Sequence, residues 1–204
     1  MAYTPGYCGV ILAAGESSRM GRDKALLPWR GKTFLRGAID VLQPLTDLVI
    51  VVAGKNAANL APAVYASGAS LVVNPTPELG QFSSLQAGLR EILNRGRDAA
   101  VVALVDRPPA SPDTVARLRA AFQEATARGK WAVVPEHGGR HGHPIVIGRE
   151  MMEAFLRARP EETARDVEHA QQQRIEYVAV DDPLVVTNVD TPQDYENLVS
   201  TSSE

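Results

Sequence analysis

The sequence predicts a doubly wound α/β fold: a mostly parallel sheet between helices, three layers in all. Three observations carry this prediction. Short β-branched runs alternate with longer amphipathic stretches along most of the chain. Several runs, such as Leu48-Val49-Ile50-Val51-Val52, are apolar at every position instead of every second one, as a strand covered on both faces requires. No repeat, low-complexity tract or linker breaks the pattern, and 204 residues suit a single domain, 1–204, with a sizeable core.

In chain order, strands are expected at 9–13, 48–53, 70–73, 99–104, 131–134, 144–147 and 176–180. Helices are expected at 33–42, 57–65, 83–93, 112–128, 149–157, 164–173 and 192–199. Ser111-Pro112 and Thr191-Pro192 each put a hydroxyl at the cap and a proline at the first helical position. Asp194, three residues after Thr191, completes a capping-box spacing. Leu85, Leu89, Ile92 and Leu93 share one helix face, with Ser83 or Ser84 placed to cap it. Strand–helix alternation implies right-handed parallel crossovers. After Lys130 the regularity weakens, and 131–147 reads as a hairpin-like excursion. Ligands of such a sheet bind beyond the carboxyl ends of its strands, so the chemistry is sought there.

Composition excludes several classes. A formal net charge of -3 offers no general basic surface, so nucleic acid is not expected as the main partner. The single cysteine, Cys8, excludes an internal disulfide and a cysteine-rich zinc site, and its apolar surroundings read as a buried thiol. The apolar run 8–14 has no Lys or Arg before it, unlike a secretory signal. No stretch approaches the roughly 20 apolar residues of a membrane helix. A reducing cytoplasm is the expected setting and no membrane partner is expected.

The first strand ends in Leu12-Ala13-Ala14-Gly15 and passes into a polar segment. Small residues leave backbone N–H groups free to approach phosphate oxygens. Arg19 offers a planar fork and Lys24 a movable charge. Arg19, Arg22, Lys24, Arg30 and Lys32 stand against one acid, Asp23, a local reversal of the chain's sign. The Walker and dinucleotide glycine motifs are both absent, so a solvated basic loop is the alternative reading.

Two strand ends carry aspartates. The strand 99–104 runs on through Val105 to Asp106-Arg107-Pro108-Pro109, and Val185-Val186-Thr187-Asn188-Val189 leads to Asp190-Thr191-Pro192. Mg²⁺ takes one or two carboxylates and keeps waters, which Asp106 and Asp190 supply. Asp106 is also an ordinary turn residue before prolines, and Asp190 an ordinary residue before a helix cap. Ser83 and Ser84 either cap their helix or leave N–H groups facing an anion. In Gly138-Gly139-Arg140-His141-Gly142-His143-Pro144, two histidines two apart without a third ligand make a weak zinc signal. Loop rigidity explains that run equally well.

At these residues the chain resembles the molybdenum-cofactor nucleotidyltransferase family, the MobA-like transferases. The match lies in Leu12-Ala13-Ala14-Gly15, Ser17, Arg19-Met20-Gly21 and Lys24, then Asp106-Arg107-Pro108, Asn188-Val189-Asp190-Thr191-Pro192 and Gly142-His143-Pro144. It runs over 9–195 with its blocks in order. The resemblance implies the three-layer fold of nucleotide-diphospho-sugar transferases, a glycosyltransferase A-type Rossmann variant. It implies catalytic roles for Arg19, Lys24 and Asp106, and Mg²⁺ held by Asp106 and Asp190. It places Leu12, Ala13, Ala14, Gly15, Asn74, Gly80 and Ser84 at the nucleotide with Arg19, Lys24 and Asp106, and Ser83 and His143 at the acceptor. The Leu-Ala-Ala-Gly form resembles the cytidylyl-transferring members, which points to CTP over GTP, with a molybdopterin-type acceptor and a molybdenum hydroxylase apoenzyme as partners. Two positions depart from the pattern: Arg107 replaces a neutral residue, and Asn188 replaces a first aspartate. Two rivals stand beside this reading: a sugar-1-phosphate nucleotidyltransferase, and a chaperone that holds the pterin cofactor without chemistry.

Overall fold

The computed structural model describes residues 6–159 and 161–201; the ends of the expected 1–204 domain lie outside the described residues. In chain order the elements are β1 (Tyr7–Leu12), β2 (Pro28–Trp29), β3 (Lys32–Thr33), α1 (Phe34–Leu42), β4 (Leu48–Ala53), α2 (Ala57–Ala66), β5 (Ser70–Val73) and α3 (Gln81–Asn94). There follow β6 (Ala99–Leu104), α4 (Pro112–Ala127), β7 (Ala132–His137), β8 (Arg140–His141), β9 (Ile145–Gly148), α5 (Arg149–Arg157), α6 (Ala164–Ala170), β10 (Ile175–Ala179) and α7 (Pro192–Thr201). The main sheet runs β10-β7-β9-β6-β1-β4-β5, with β8 paired to β7.

This is the mostly parallel doubly wound sheet that the alternation predicts. β1 pairs in parallel with both β4 and β6, β4 with β5, and β7 with β10. The excursion after Lys130 resolves into β9 inserted antiparallel between β6 and β7. The chain winds from β1 outward to β4 and β5, then returns to β6 on the other side of β1. The carboxyl ends of β1 and β6 therefore flank a topological switch point, where a crevice opens.

Continuous apolarity along β1 follows from its two covers. Tyr7, Ile11 and Ala13 join α1, α2 and α4 through Leu35, Ile39, Leu60, Val64, Leu118 and Phe122. Cys8, Val10 and Leu12 face the other way, onto Leu85, Leu89 and Ile92 of α3 and Met151, Met152 and Phe155 of α5. Both faces being buried, no polar residue is tolerated in between. Cys8 is fully buried, as its apolar run predicts.

The caps refine the expected helices. Ser111 caps α4 by accepting from Thr114 N, 3.1 Å. Thr191 and Asp194 exchange their capping-box bonds, with Thr191 N to Asp194 Oδ2 at 2.8 Å. The helix expected at 83–93 starts earlier, so neither Ser83 nor Ser84 is its cap. Gly80 takes that position at φ 89°, a left-handed conformation open to glycine. The helix expected at 164–173 ends at Ala170, and residues 172–174 form a tighter 3₁₀ turn. The ribbon β2–β3 was not expected; two-residue strands are too short to leave a periodic signal. A third apolar cluster of Met20, Leu27, Trp29, Phe34, Val189 and Leu198 packs that ribbon and the loop after β1 against α7.

Candidate active site

Two recesses open at the switch point. The smaller, about 410 Å³, is lined by Leu12, Ala14, Gly15, Glu16, Gly80 and Ser84 among others. The larger cleft, about 1120 Å³, passes Leu12, Asn74, Ser83, Asp106, Arg107 and His143. Leu12 and Gly80 line both, so the recesses share a wall. Leu12, Ala14, Gly15, Asn74, Gly80, Ser83, Ser84, Asp106 and His143 line these recesses, whereas Ala13 is buried in the core and Arg19 and Lys24 meet at Asp190 outside the two linings.

The loop after β1 is built as a ledge. Ala13 N donates to Val52 O at 2.8 Å and Val105 N to Leu12 O at 3.2 Å, which extends the sheet pairing past the end of β1. Ser17 turns the chain at φ 50°, its carbonyl accepting from the amides of Met20 and Gly21. Met20 is buried in the third cluster and anchors the loop between Arg19 and Lys24. Lys24 Nζ lies 2.7 Å from Asp190 Oδ1, and Arg19 Nη2 lies 3.1 Å from the same oxygen. The Lys24 side chain is only 12% exposed, so its charge is held in place and weakly screened.

Asp106 meets this group from β6. Its carbonyl accepts from Val189 N at 2.7 Å, which draws the strand end that carries Asp190 alongside. Burial pushes the Asp106 carboxyl above the usual carboxylate range, against the pull of Lys24 and Arg107, and the Asp190 charge pushes it further. Its Oδ1 is buried with no hydrogen-bond partner. A buried carboxylate oxygen without a donor is costly unless a cation meets it. The donor set thus fits a hard divalent cation that takes one or two carboxylates and completes its shell with water and phosphate oxygens. Among the described residues no group of three or more His, Cys, Asp and Glu side chains is arranged to hold a metal.

Asn74 is buried, and its Nδ2 donates to Ser83 Oγ at 2.8 Å and Ser84 Oγ at 3.0 Å. It fastens the first turn of α3 to the end of β5. The two histidines separate. His141 stacks on Tyr177 with ring centroids 3.9 Å apart and Nε2 3.4 Å from Glu136. His143 turns inward, and its Nδ1 is buried without a partner. Burial, seconded by the Arg107 charge, holds its imidazole down to about 3, so it is neutral at ordinary pH.

Sequence reasoning left Arg107 without a role. Its Nη1 donates to Val185 O at 2.7 Å, while Arg140 Nη2 reaches Val186 O at 3.0 Å and His143 N reaches Val185 O at 2.9 Å. Three groups, one each from the loop after β6, from β8 and from the β8–β9 loop, thus grip the segment that leads to Asp190. Gly142 permits this approach, since a Cβ there would sit 2.2 Å from Val185 O. Asp182, also missed, is buried and accepts from Ser111 N, Thr114 Oγ1 and Leu184 N within 3.1 Å. An acid next to a proline after a strand carries no signal beyond a turn.

The chain is similar to several known proteins. The family model described as the MobA-like NTP transferase domain matches residues 9–176. Nicotine blue oxidoreductase of Paenarthrobacter nicotinovorans is 34% identical over 147 residues, 70% of this chain and 71% of that one. Molybdenum cofactor cytidylyltransferase of Escherichia coli is 25% identical over 189 residues, 91% and 92% of the two chains. A crystal structure of Rv0371c of Mycobacterium tuberculosis in complex with manganese superimposes with a TM-score of 0.73 at 26% identity, covering 96% of this chain and 99% of that one. Among the described residues no helix is long and apolar enough to cross a membrane.

Proposed function

The chain belongs to the MobA-like NTP transferase family, and from that premise we propose that it is a Mg²⁺-dependent cytidylyltransferase acting on molybdopterin or its metal-loaded form. In this reading a terminal phosphate oxygen of the acceptor attacks the α-phosphorus of CTP in line, and pyrophosphate leaves. The observation that carries it is the convergence of Lys24, Arg19 and Asp190 beside the unpartnered Asp106 Oδ1.

Each group has a task. The smaller recess receives the base and ribose along Leu12, Ala14, Gly15, Gly80 and Ser84, with the backbone of Ala13 behind them. Asn74 holds the serine turn that borders it. Lys24 and Arg19 exchange Asp190 for the β- and γ-phosphates, and their charges offset the negative charge that develops on pyrophosphate. Asp106 and Asp190 would hold the divalent cation, which supplies Lewis-acid polarisation of the phosphoryl oxygens. Ser83 and His143 border the larger cleft, where the acceptor lies, and neutral His143 can donate to it through one ring nitrogen. The acceptor phosphate is ionised at neutral pH, so no general base is needed. CTP is favoured by the Leu12-Ala13-Ala14-Gly15 run, whose form resembles that of the cytidylyl-transferring members of the family. We further place the enzyme in the cytoplasm as one domain, 1–204, handing its product to a molybdenum hydroxylase apoenzyme.

The test is a panel of CTP, GTP, ATP and UTP with Mg²⁺ and molybdopterin, scored by pyrophosphate release. CTP should give the highest turnover, and Lys24→Ala and Asp106→Ala should abolish it while the circular dichroism spectrum is kept. Unchanged turnover in either variant refutes the reading. The likeness to nicotine blue oxidoreductase supports a second reading, in which the chain is an oxidoreductase. Oxidation of NADPH by nicotine blue, without pyrophosphate release in the panel, would favour it.

A further inference from the structure

Asn56 stands at the first residue before α2, where an asparagine side chain ordinarily caps its own helix. Here it makes no such bond. Its Nδ2 instead donates to Ala13 O at 2.9 Å and to Asp23 Oδ2 at 2.7 Å, and its Oδ1 accepts from Gly54 N at 3.1 Å. Both amide hydrogens and the acceptor are thus spent on loop contacts.

These contacts reach both ends of the phosphate ledge. Ala13 is the last residue tied to the sheet. Asp23 immediately precedes Lys24, and its other oxygen accepts from Ala25 N at 3.0 Å, capping the short turn that carries the lysine. The Lys24 amide is fixed in turn by Ser17 Oγ at 3.2 Å. The neighbours of Asn56 join in. Lys55 Nζ lies 2.6 Å from Glu16 Oε1. Gly54 comes so near the ledge that a Cβ there would meet Ala14 O at 2.9 Å and Pro77 Cβ at 3.0 Å. Asp23, the lone acid of a basic segment, therefore faces Asn56 and the Ala25 amide, and its charge serves the loop's own geometry.

We infer that Asn56 is a positioning residue: through Asp23 it fixes the turn of Lys24 and so sets where the lysine ammonium stands. The link runs from the end of β4, across the end of β1, to a lysine whose partner, Asp190, lies 166 residues away. Severing it leaves the strands paired and frees the ledge to move.

Amide hydrogen exchange on the metal- and nucleotide-free protein tests this without reliance on the proposed reaction. Asn56→Ala should speed exchange at Met20, Gly21, Lys24 and Ala25 by about tenfold, the effect of losing one hydrogen bond to a charged group. Amides of β1, β4 and β6 should keep their wild-type rates. Unchanged ledge amides, or a uniform rise over the whole chain, would overturn the inference. If Asn56→Ala does not fold, Asn56→Leu serves, since it keeps the size roughly and removes the amide's donors and acceptor without setting a second negative charge against Asp23. A second arm rests on the proposed nucleotidyl transfer. Asn56→Ala should lower kcat about tenfold with KM for the acceptor unchanged, and should have less than about twofold effect in a Lys24→Arg background. Equal losses in both backgrounds would show that Asn56 does not act through Lys24. If no triphosphate turns over in the wild type, the proposed reaction fails, and the exchange arm alone decides the positioning role.

Discussion

Acid should destabilise this protein through His143, and the size of the effect follows from the site. The imidazole is neutral in the folded chain because burial, seconded by Arg107, holds it down to about 3. In the unfolded chain it protonates near its ordinary value of about 6.5. Between these values the unfolded state binds one more proton, so stability falls as pH falls. The contribution is complete above the unfolded value and is lost progressively below it, until the folded imidazole titrates as well. At pH 5 the loss is about 1.36 kcal/mol times the 1.5-unit gap, or ~2 kcal/mol. That figure depends on the unfolded value and hardly on the folded one. For a chain of this length it corresponds to a Tm lower by roughly 4–8 °C. Urea unfolding at pH 7.5 and 5.0 measures it, with His143→Asn as reference, because asparagine matches the polar bulk and does not titrate. The wild type should lose ~2 kcal/mol more than His143→Asn across that interval. Equal losses in the two proteins would refute the argument and mean that His143 protonates in the folded state.

Three further outcomes follow from the packing. Gly142→Ala forces a Cβ onto Val185 O, so urea unfolding should show a loss of about 1–3 kcal/mol from overpacking, together with slower turnover as the Asp190 segment shifts. Wild-type stability in that variant would mean the segment yields freely. Cys8, fully buried with its thiol pushed up to about 12, should resist Ellman's reagent at pH 8 in the native protein and react once in urea; fast native labelling would contradict the packing around β1. Asp182→Ala strands the Ser111 amide and the Thr114 hydroxyl, and should cost about 3 kcal/mol in thermal or urea unfolding.

Much of the candidate site was legible because the residues proposed for it follow strands. Gly15, Arg19 and Lys24 come just after β1, and Asp106 just after β6, where a doubly wound sheet opens its crevice. Asn56, Arg107 and Asp182 were not legible as site residues. Each works through contacts to partners at least 33 residues away in the chain, as Asn56 to Asp23, Arg107 to Val185 and Asp182 to Ser111 show. An asparagine before a helix reads as a cap because local bonding is the common case. Only the approach of Gly54 to Ala14 turns Asn56 toward the ledge.

The amino-acid order by itself determined the two-sided strands, the helix starts at Ser111 and Thr191, and the basic ledge after β1. These rest on periodicity and capping, which act over a few residues. The tertiary structure alone decided that β9 enters antiparallel between β6 and β7, that Gly80 rather than a serine begins α3, and that Lys24 meets Asp190. Strand order and long-range ion pairs depend on which surfaces are buried together, and a linear pattern holds no record of that until the chain has packed.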